Sequence, residues 1–319
     1  MPILAFLGRR LAIFAVSLLG ASLLVFAVCS ALPGQVAEVI LGEGATPAQI
    51  DALTAELGLN RPWTVRYSEW VGGMLHGDFG QSYFTGQSVM DLMAPRIAVT
   101  WWLVLFALAL SIVIAVPVGM VAAMKRRSWV GFTASALAQL GMAIPAFWAA
   151  IVLVLIFAVG LHWLPANGYI PLRVDPVSWA SHLVLPVVSL AIVQSAVLVR
   201  YVRSAFIEVL SEDYYRTARA VGWRPFPALL RHGLRNAALS LVTVVGLQLS
   251  AVLVGAIVIE QVFALPGLGS QLLSAVSQRD LMIVQGIVMF LAASVLLINF
   301  LVDLSYAWID PRLRAEGAR

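Results

Sequence analysis

Lysine and cysteine are almost absent from this 319-residue chain, each occurring once, as Lys125 and Cys29. The lone lysine follows Met124 and not glycine, so there is no Gly-x-x-x-x-Gly-Lys with which the chain could itself hold a nucleotide for hydrolysis. One cysteine excludes an internal disulfide and a cysteine-ligated metal cluster, and Cys29 reads as a small core residue of an apolar run. His-Glu-x-x-His and Gly-x-Ser-x-Gly are missing as well. The four histidines, His76, His162, His182 and His232, stand far apart, which fits packing near membrane edges and not a metal centre. No catalytic residue, metal ligand or cofactor of its own is expected.

Charge is scarce too, at 11% of residues against 61% hydrophobic, the composition of a membrane protein. Six stretches contain no Asp, Glu, Lys or Arg: Leu11 to Ala37, Ile97 to Met124, Ser128 to Leu172, Pro176 to Val199, Asn236 to Ile259 and Leu281 to Val302. Each exceeds the roughly 20 apolar residues of a spanning helix. A charge at the bilayer centre costs on the order of 3 kcal/mol, so charge-free runs of this length mark membrane depth. The runs lack the period-two alternation of barrel strands, and the expectation is an all-α polytopic bundle of six transmembrane helices. In the third run, Gly160, Pro165, Asn167, Gly168 and Pro171 crowd the last third, which places its span at about Val130 to Gly160.

With the N-terminus inside, fifteen of the twenty basic residues fall on inner segments and five, Arg61, Arg66, Arg96, Arg173 and Arg279, on outer ones. That asymmetry puts both termini in the cytoplasm. The net charge of +4 therefore mostly records topology and calls for no nucleic-acid partner. Arg9 and Arg10 before an apolar run could open a cleaved secretion signal. The run is long for a signal core, no small-residue cleavage site is clear, and Phe26-Ala27-Val28 is a poor lead into a lipoprotein cysteine, so an uncleaved span is expected.

Gly34 to Arg96 is the one sizeable extramembrane region on the outer side. Thr46, Pro47 and Gln49 form a capping-box pattern; Ile50, Leu53 and Leu57 then share a face, and Gly58 ends the helix. Gly77-Asp78-Phe79-Gly80-Gln81-Ser82 reads as a structured turn.

On the inner side lies a polar island, Ser211 to Asn236, between the fourth and fifth runs. Ser211 is placed to act as an N-cap, Glu212 and Asp213 suit the positive end of a helix dipole, and Gly222 is placed to end a helix from Glu212 to Val221. Tyr214, Ala218 and Val221 fall on one face of it, Arg216 and Arg219 on others. A second helical piece bearing Arg231, His232 and Arg235 follows the turn. By composition alone, the hairpin could equally be a positive-inside loop on anionic lipid.

The order of its residues decides more. Arg216-Thr217-Ala218-x-x-x-Gly222, with Leu234 twelve residues after the glycine, resembles the EAA loop of permease subunits of binding-protein-dependent ABC importers. Arg216 and Thr217 stand where the broad family has Glu and Ala, and Arg235 where many members have Pro; these departures are the pattern of the dipeptide, oligopeptide and nickel branch. Gly77 to Ser82 with Thr85-Gly86-Gln87, Ala143-Ile144-Pro145-Ala146-Phe147, Phe263-Ala264-Leu265-Pro266-Gly267-Leu268-Gly269 and Asp310-Pro311-Arg312 resemble further segments of that branch. The long segment after the first run is similar to that of the first of the two permeases in such systems.

The resemblance implies a type I ABC importer permease fold in the bacterial cytoplasmic (inner) membrane. Residues 1–96 would be the first span plus external segment, 97–307 the ABC transmembrane type-1 permease domain with a cytoplasmic coupling loop at 205–236, and 308–319 a cytoplasmic tail. Implied partners are a second homologous permease, two ATPase subunits or domains carrying ATP and Mg, an extracytoplasmic solute-binding protein and the lipid bilayer. Peptide is the substrate the branch points to, with nickel, glutathione and some oligosaccharides left open. The coupling residues would be Glu212, Asp213, Tyr214, Arg216, Thr217, Ala218, Arg219, Gly222 and Leu234. Glu260, Gln261 and Phe263 are candidates for the pathway or an external gate, as ionisable or polar groups at the end of a span. Solvation or pairing at a membrane edge would equally explain Glu260 and Asp303. An alternative function, a proton-coupled secondary transporter using Glu260 and Asp303, would usually carry an internal repeat, and none is visible.

Overall fold

The computed structural model describes residues 2–31, 36–42 and 44–309, so Asp310-Pro311-Arg312 and most of the 308–319 tail lie outside it. Every regular element among these residues is helical, apart from an isolated antiparallel bridge between Gln81 and Ser88. Five helices are long and apolar enough to cross a membrane: α1 (Pro2–Ala31), α5 (Val89–Met124), α8 (Pro176–Ser211), α11 (Leu234–Val262) and α13 (Leu281–Ile309).

The third apolar run is not one rod. It forms α6 (Trp129–Ala143) and α7 (Ala146–Leu153), the latter continuing as a π-helical turn Val154–Gly160, and the two halves meet at 99°. Counted as one broken span they bring the total to six. Pro145 explains the break: it has no N–H to give, and it forces Ile144 into the extended region (φ −84, ψ 121). The first run holds the expected span. Its helix starts at Pro2, taking in Arg9 and Arg10, and ends at Ala31; Val36–Leu41 is a separate short helix, α2. Long arginine side chains at a helix end can reach out of the apolar layer, which is how α1 tolerates them.

The chain divides into two compact units, one made of Arg9–Thr100 with Pro266–Leu297, the other of Trp101–Leu265 with stretches from both chain ends. In the first, α3 (Pro47–Glu56) carries the expected capping box: the Thr46 hydroxyl accepts from the Gln49 N–H, and the Thr46 N–H donates to Gln49 Oε1 at 2.9 Å. Its far end closes as a Schellman turn, with Gly58 N–H on the Ala55 carbonyl and Leu59 N–H on Thr54. Ile50, Leu53 and Leu57 are half-buried while Asp51 and Glu56 are exposed. Next comes α4 (Trp63–Leu75), whose Tyr67, Trp70 and Met74 pack on Val25 and Phe26 of α1. The Phe26 ring meets Tyr67 edge-on at 5.4 Å and Trp70 at 5.6 Å.

The Gly77 to Ser82 turn is tightly built. Asp78 Oδ1 accepts from the Gly80 N–H at 2.8 Å, and Gly80 (φ +86) lies against Met282, where a Cβ would come within 2.2 Å of the methyl carbon. The Ser82 hydroxyl accepts from the N–H groups of Phe84 and Thr85 and donates to buried Asp280 Oδ2 at 2.5 Å. Asp280 in turn precedes α13, with Oδ1 3.4 Å from the Ile283 N–H. The turn thus anchors to the junction between α12 (Leu268–Ser277) and α13.

In the Trp101–Leu265 unit, α8 packs against α6, α7 and α11 and has the most buried face of the long helices. Pro186 is buried inside it and the helix continues past it. At mid-span, Gln248 of α11 donates to Gln194 Oε1 of α8 at 2.7 Å, an interhelical hydrogen bond worth about 1 kcal/mol where no water competes. Asp175 caps the start of α8: its carboxylate accepts from Ser178 and the Val177 N–H, contacts that lower its pKa.

Candidate functional site

The polar island folds as a helical hairpin. α8 runs unbroken to Ser211, whose hydroxyl bonds the Glu208 carbonyl one turn back. Ser211 therefore caps nothing, contrary to expectation. Glu212, extended at φ −74 and ψ 147, takes the N-cap position of α9 (Asp213–Ala220), and its side chain makes no capping bond. Asp213 in the first turn and Arg219 in the last complement the helix dipole. Arg216 reaches Asp213 at 3.4 Å, but both side chains are largely exposed, so the pair adds little.

Termination is as the glycine predicts. Gly222 adopts φ +99, its N–H bonds the Arg219 carbonyl, and the Trp223 N–H bonds Ala218, a second Schellman turn. Arg219 adds a guanidinium bond to the Trp223 carbonyl. Pro225 then starts α10 (Pro225–Ala228), and a π-helical turn, Leu229–Gly233, leads into α11. The Arg231 guanidinium lies 5.6 Å over the Trp223 ring.

The buried face of α9 is set by the returning chain. Tyr215 and Ala218 are the buried residues of α9, packing with Ala228, Leu229, Phe206 and Val209, and Tyr215 donates to the Pro225 carbonyl at 3.4 Å. Of the three residues expected to share a face, Ala218 is buried while Tyr214 and Val221 are exposed, the latter at 76%. Eight residues make barely two turns, so the returning chain through Ala228 and Leu229 selects the face, and it selects i, i+3. What remains outward is a mixed surface of Glu212, Asp213, Tyr214, Arg216, Thr217, Arg219, Val221, Trp223 and Phe226. Aromatic side chains and arginine on a rigid, anchored element are the composition of an interface. Leu234 is not on that surface; it is half-buried against the core below the hairpin.

Glu260, Gln261 and Phe263 sit at the other end of α11, about 40 Å from Leu234 at 1.5 Å per residue. Glu260 and Phe263 are fully buried and Gln261 is exposed. Here the helix ends on a Schellman turn made by a non-glycine residue: Ala264 holds φ +50, and the Leu265 N–H bonds the Glu260 carbonyl at 2.9 Å. A left-handed alanine is strained by roughly 1 kcal/mol or more and persists only where its surroundings hold it. The Phe263 carbonyl accepts from Gly168 at 2.9 Å, one such restraint. Between these two ends, α5, α8, α11 and α13 enclose an apolar cleft of about 460 Å³, lined by Ala115, Val202, Leu241, Val245 and Val302 among others. Among the described residues no group of His, Cys, Asp or Glu is arranged to hold a metal ion.

Comparison with known proteins agrees with this architecture. Residues 115–315 match the family described as "Binding-protein-dependent transport system inner membrane component", and residues 3–104 match the N-terminal region of such components. A peptide transport system permease protein of Brucella abortus is 41% identical, covering 92% of this chain and 94% of the relative. The dipeptide transport system permease protein DppB of Alkalihalophilus pseudofirmus is 36% identical over 98% of this chain and 99% of that protein. Among solved structures, the MetNI methionine ABC transporter in an inward-facing conformation matches with a TM-score of 0.56 and 19% identity, over 69% of this chain and 97% of that one; this likeness concerns the fold alone. None of these relatives supports a proton-coupled carrier. The chain belongs to the family of inner membrane components of binding-protein-dependent transport systems, the permeases of ABC importers, and is a multi-pass protein of the bacterial inner membrane.

Proposed function

We propose that this permease forms, with a second homologous permease subunit, the pathway by which peptides enter the cell, and that its α9 hairpin receives the motion of an ATPase subunit. Two ATPase subunits would hold ATP and Mg, and an external solute-binding protein would deliver the peptide. Peptide as substrate is supported by relatives named for peptide and dipeptide transport at 41% and 36% identity over nearly the full chain. In this reading both termini and the hairpin are cytoplasmic, residues 1–96 carry the external segment, and 97–307 form the transport domain with its coupling loop at 205–236.

The observation that carries the coupling role is the combination of an anchored inner face and a rigid outer one on α9. Tyr215 and Ala218 tie the helix to Phe206 and Val209 of α8 and to Leu229, which leads directly into α11. A push on Tyr214, Arg219 or Val221 therefore displaces the ends of two spans together, as a rigid body. Gly222 sets the exit angle. Its φ of +99 is one that side-chain-bearing residues rarely adopt, although a Cβ there would meet open space, so substitution acts through backbone strain and not through a clash.

Side-specific labelling tests the placement. The native Cys29 is buried, so a cysteine at exposed Arg219 gives a clean signal. It should react with membrane-impermeant reagents from the cytoplasmic side alone, and reaction from outside would refute the topology. Purified chain free of partners should turn over no ATP.

A further inference from the structure

The Arg9–Thr100 and Pro266–Leu297 unit contains a second feature, unrelated to the hairpin. A pocket of about 240 Å³ opens among Phe26, Arg61, Arg66, Glu69, Trp70, Asp78, Tyr83 and Gln285. Its charges are unequally matched. Arg61 is held by Glu69 in a two-pronged pair at 2.5 and 2.9 Å, and one Asp78 oxygen accepts from Gly80. Arg66 faces no carboxylate within ion-pair distance among the described residues; it lies over the Phe26 ring at 5.8 Å, bonds the Tyr83 hydroxyl and makes a long 3.4 Å bond to the Leu59 carbonyl. The Trp70 side chain, 7% exposed, has a buried indole N–H with no hydrogen-bond partner among the described residues.

An unsatisfied buried donor costs roughly 1–3 kcal/mol, and such groups are normally paired. A donor left over beside a guanidinium that has no carboxylate to balance its charge asks for an anion. Glu69 and Asp78 at the same pocket would repel a doubly charged phosphate more than a singly charged group, and a planar carboxylate matches the guanidinium fork. We propose that this pocket binds a carboxylate, with the Arg66 guanidinium and the Trp70 indole N–H as its donors. Burial raises the pKa of the neighbouring Tyr83 hydroxyl, so at neutral pH it too can donate. The inference rests on the transport reading for the source of the carboxylate: the free C-terminus of a peptide, or an acidic side chain of the solute-binding protein.

The test uses the complete transporter in lipid nanodiscs. Dialanine and dialanine amide probe the first source, and the purified solute-binding protein probes the second. Wild type should bind at least one. Preference for dialanine over its amide assigns the free peptide; binding of the protein alone assigns its side chain. Arg66→Gln should weaken that binding about tenfold to hundredfold and Trp70→Phe about threefold to tenfold, with Arg66→Lys intermediate because it keeps the charge but loses the fork. Thermal melting of each variant at the wild-type temperature shows that the fold is retained. Loss of binding under those conditions supports the site. Unchanged binding in Arg66→Gln and Trp70→Phe, or binding of neither probe by a wild type that still imports peptide, overturns it. Failure of the broader reading looks different: the wild type would import no peptide, and a cysteine at exposed Asp51 would react from the cytoplasmic side.

Discussion

Two polar regions interrupt this apolar chain, and they spend their polarity in opposite ways. The 77–88 turn directs its hydrogen bonds inward, to Asp78, Ser82 and buried Asp280, so its polar groups hold one unit together. The 212–226 hairpin does the reverse: it is tied down by Tyr215 and Ala218 and leaves its arginines, acids and aromatic residues outside. Polar content alone does not separate a structural region from a docking surface. The separation lies in where the polar side chains sit: those of the turn are bonded to a buried carboxylate on another element, whereas those of the hairpin keep only local partners and stay exposed on an anchored helix, where another molecule can meet them.

The largest expected effect breaks the hairpin side of that comparison. Gly222→Leu forces a side chain into φ +99, which costs about 1–3 kcal/mol locally, and peptide uptake should fall to background while the amount of inserted protein stays normal. Normal uptake by correctly inserted Gly222→Leu would remove the coupling role. Next, Tyr215→Ala should destabilise the hairpin by about 2–4 kcal/mol through loss of a buried ring, seen as protease cleavage near 215–224, whereas Val221→Ala should leave cleavage unchanged. Equal protection in both variants would mean that the buried and exposed faces are misassigned.

On the other side, Ser82→Ala leaves Asp280 Oδ2 without its donor and should lower the stability of the Arg9–Thr100 unit by roughly 1–3 kcal/mol, measured as a lower melting temperature. Coupling should survive, because no hairpin residue is touched; loss of ATP-driven uptake at temperatures where the protein remains folded would erase the distinction between the regions. The smallest effect is a pH dependence. Burial raises the Tyr83 pKa above its ordinary value near 10, so the folded state keeps the phenol proton that the unfolded chain gives up. Stability should therefore decline as pH rises through about 10 toward the folded pKa, and Tyr83→Phe should flatten that decline. An identical slope in the variant would assign it to other groups.

Much of this was legible in the sequence. The absence of charge marked the long helices, and Thr46-Pro47-Gln49 and Gly58 fixed both ends of α3, because capping depends on neighbours along the chain. Gly222 was equally readable, since a left-handed terminator is a local requirement. Pro145 was readable as a point where its helix kinks or starts, and α7 does start beside it across a 99° bend; Pro186 carries the same signal, yet α8 continues past it. Helix α4 was missed because Trp63 to Leu75 buries one aromatic stripe against α1, a partner distant in sequence. Which face of α9 is buried was not readable for the same reason: Ala228 and Leu229, not helical periodicity, choose Tyr215. The pocket around Arg66 and Trp70 could not be seen at all before the tertiary contacts were known.

The central claim is that the outward face of α9 meets an ATPase. In the reconstituted complex, a Val221→Cys permease carrying only that cysteine and buried Cys29 can be treated with a short bifunctional maleimide during ATP turnover. The account predicts a crosslink to the ATPase subunit that inhibits uptake and disappears when Gly222→Leu is added. A Val221 cysteine that never links to the ATPase, in a complex that still imports peptide, would contradict it.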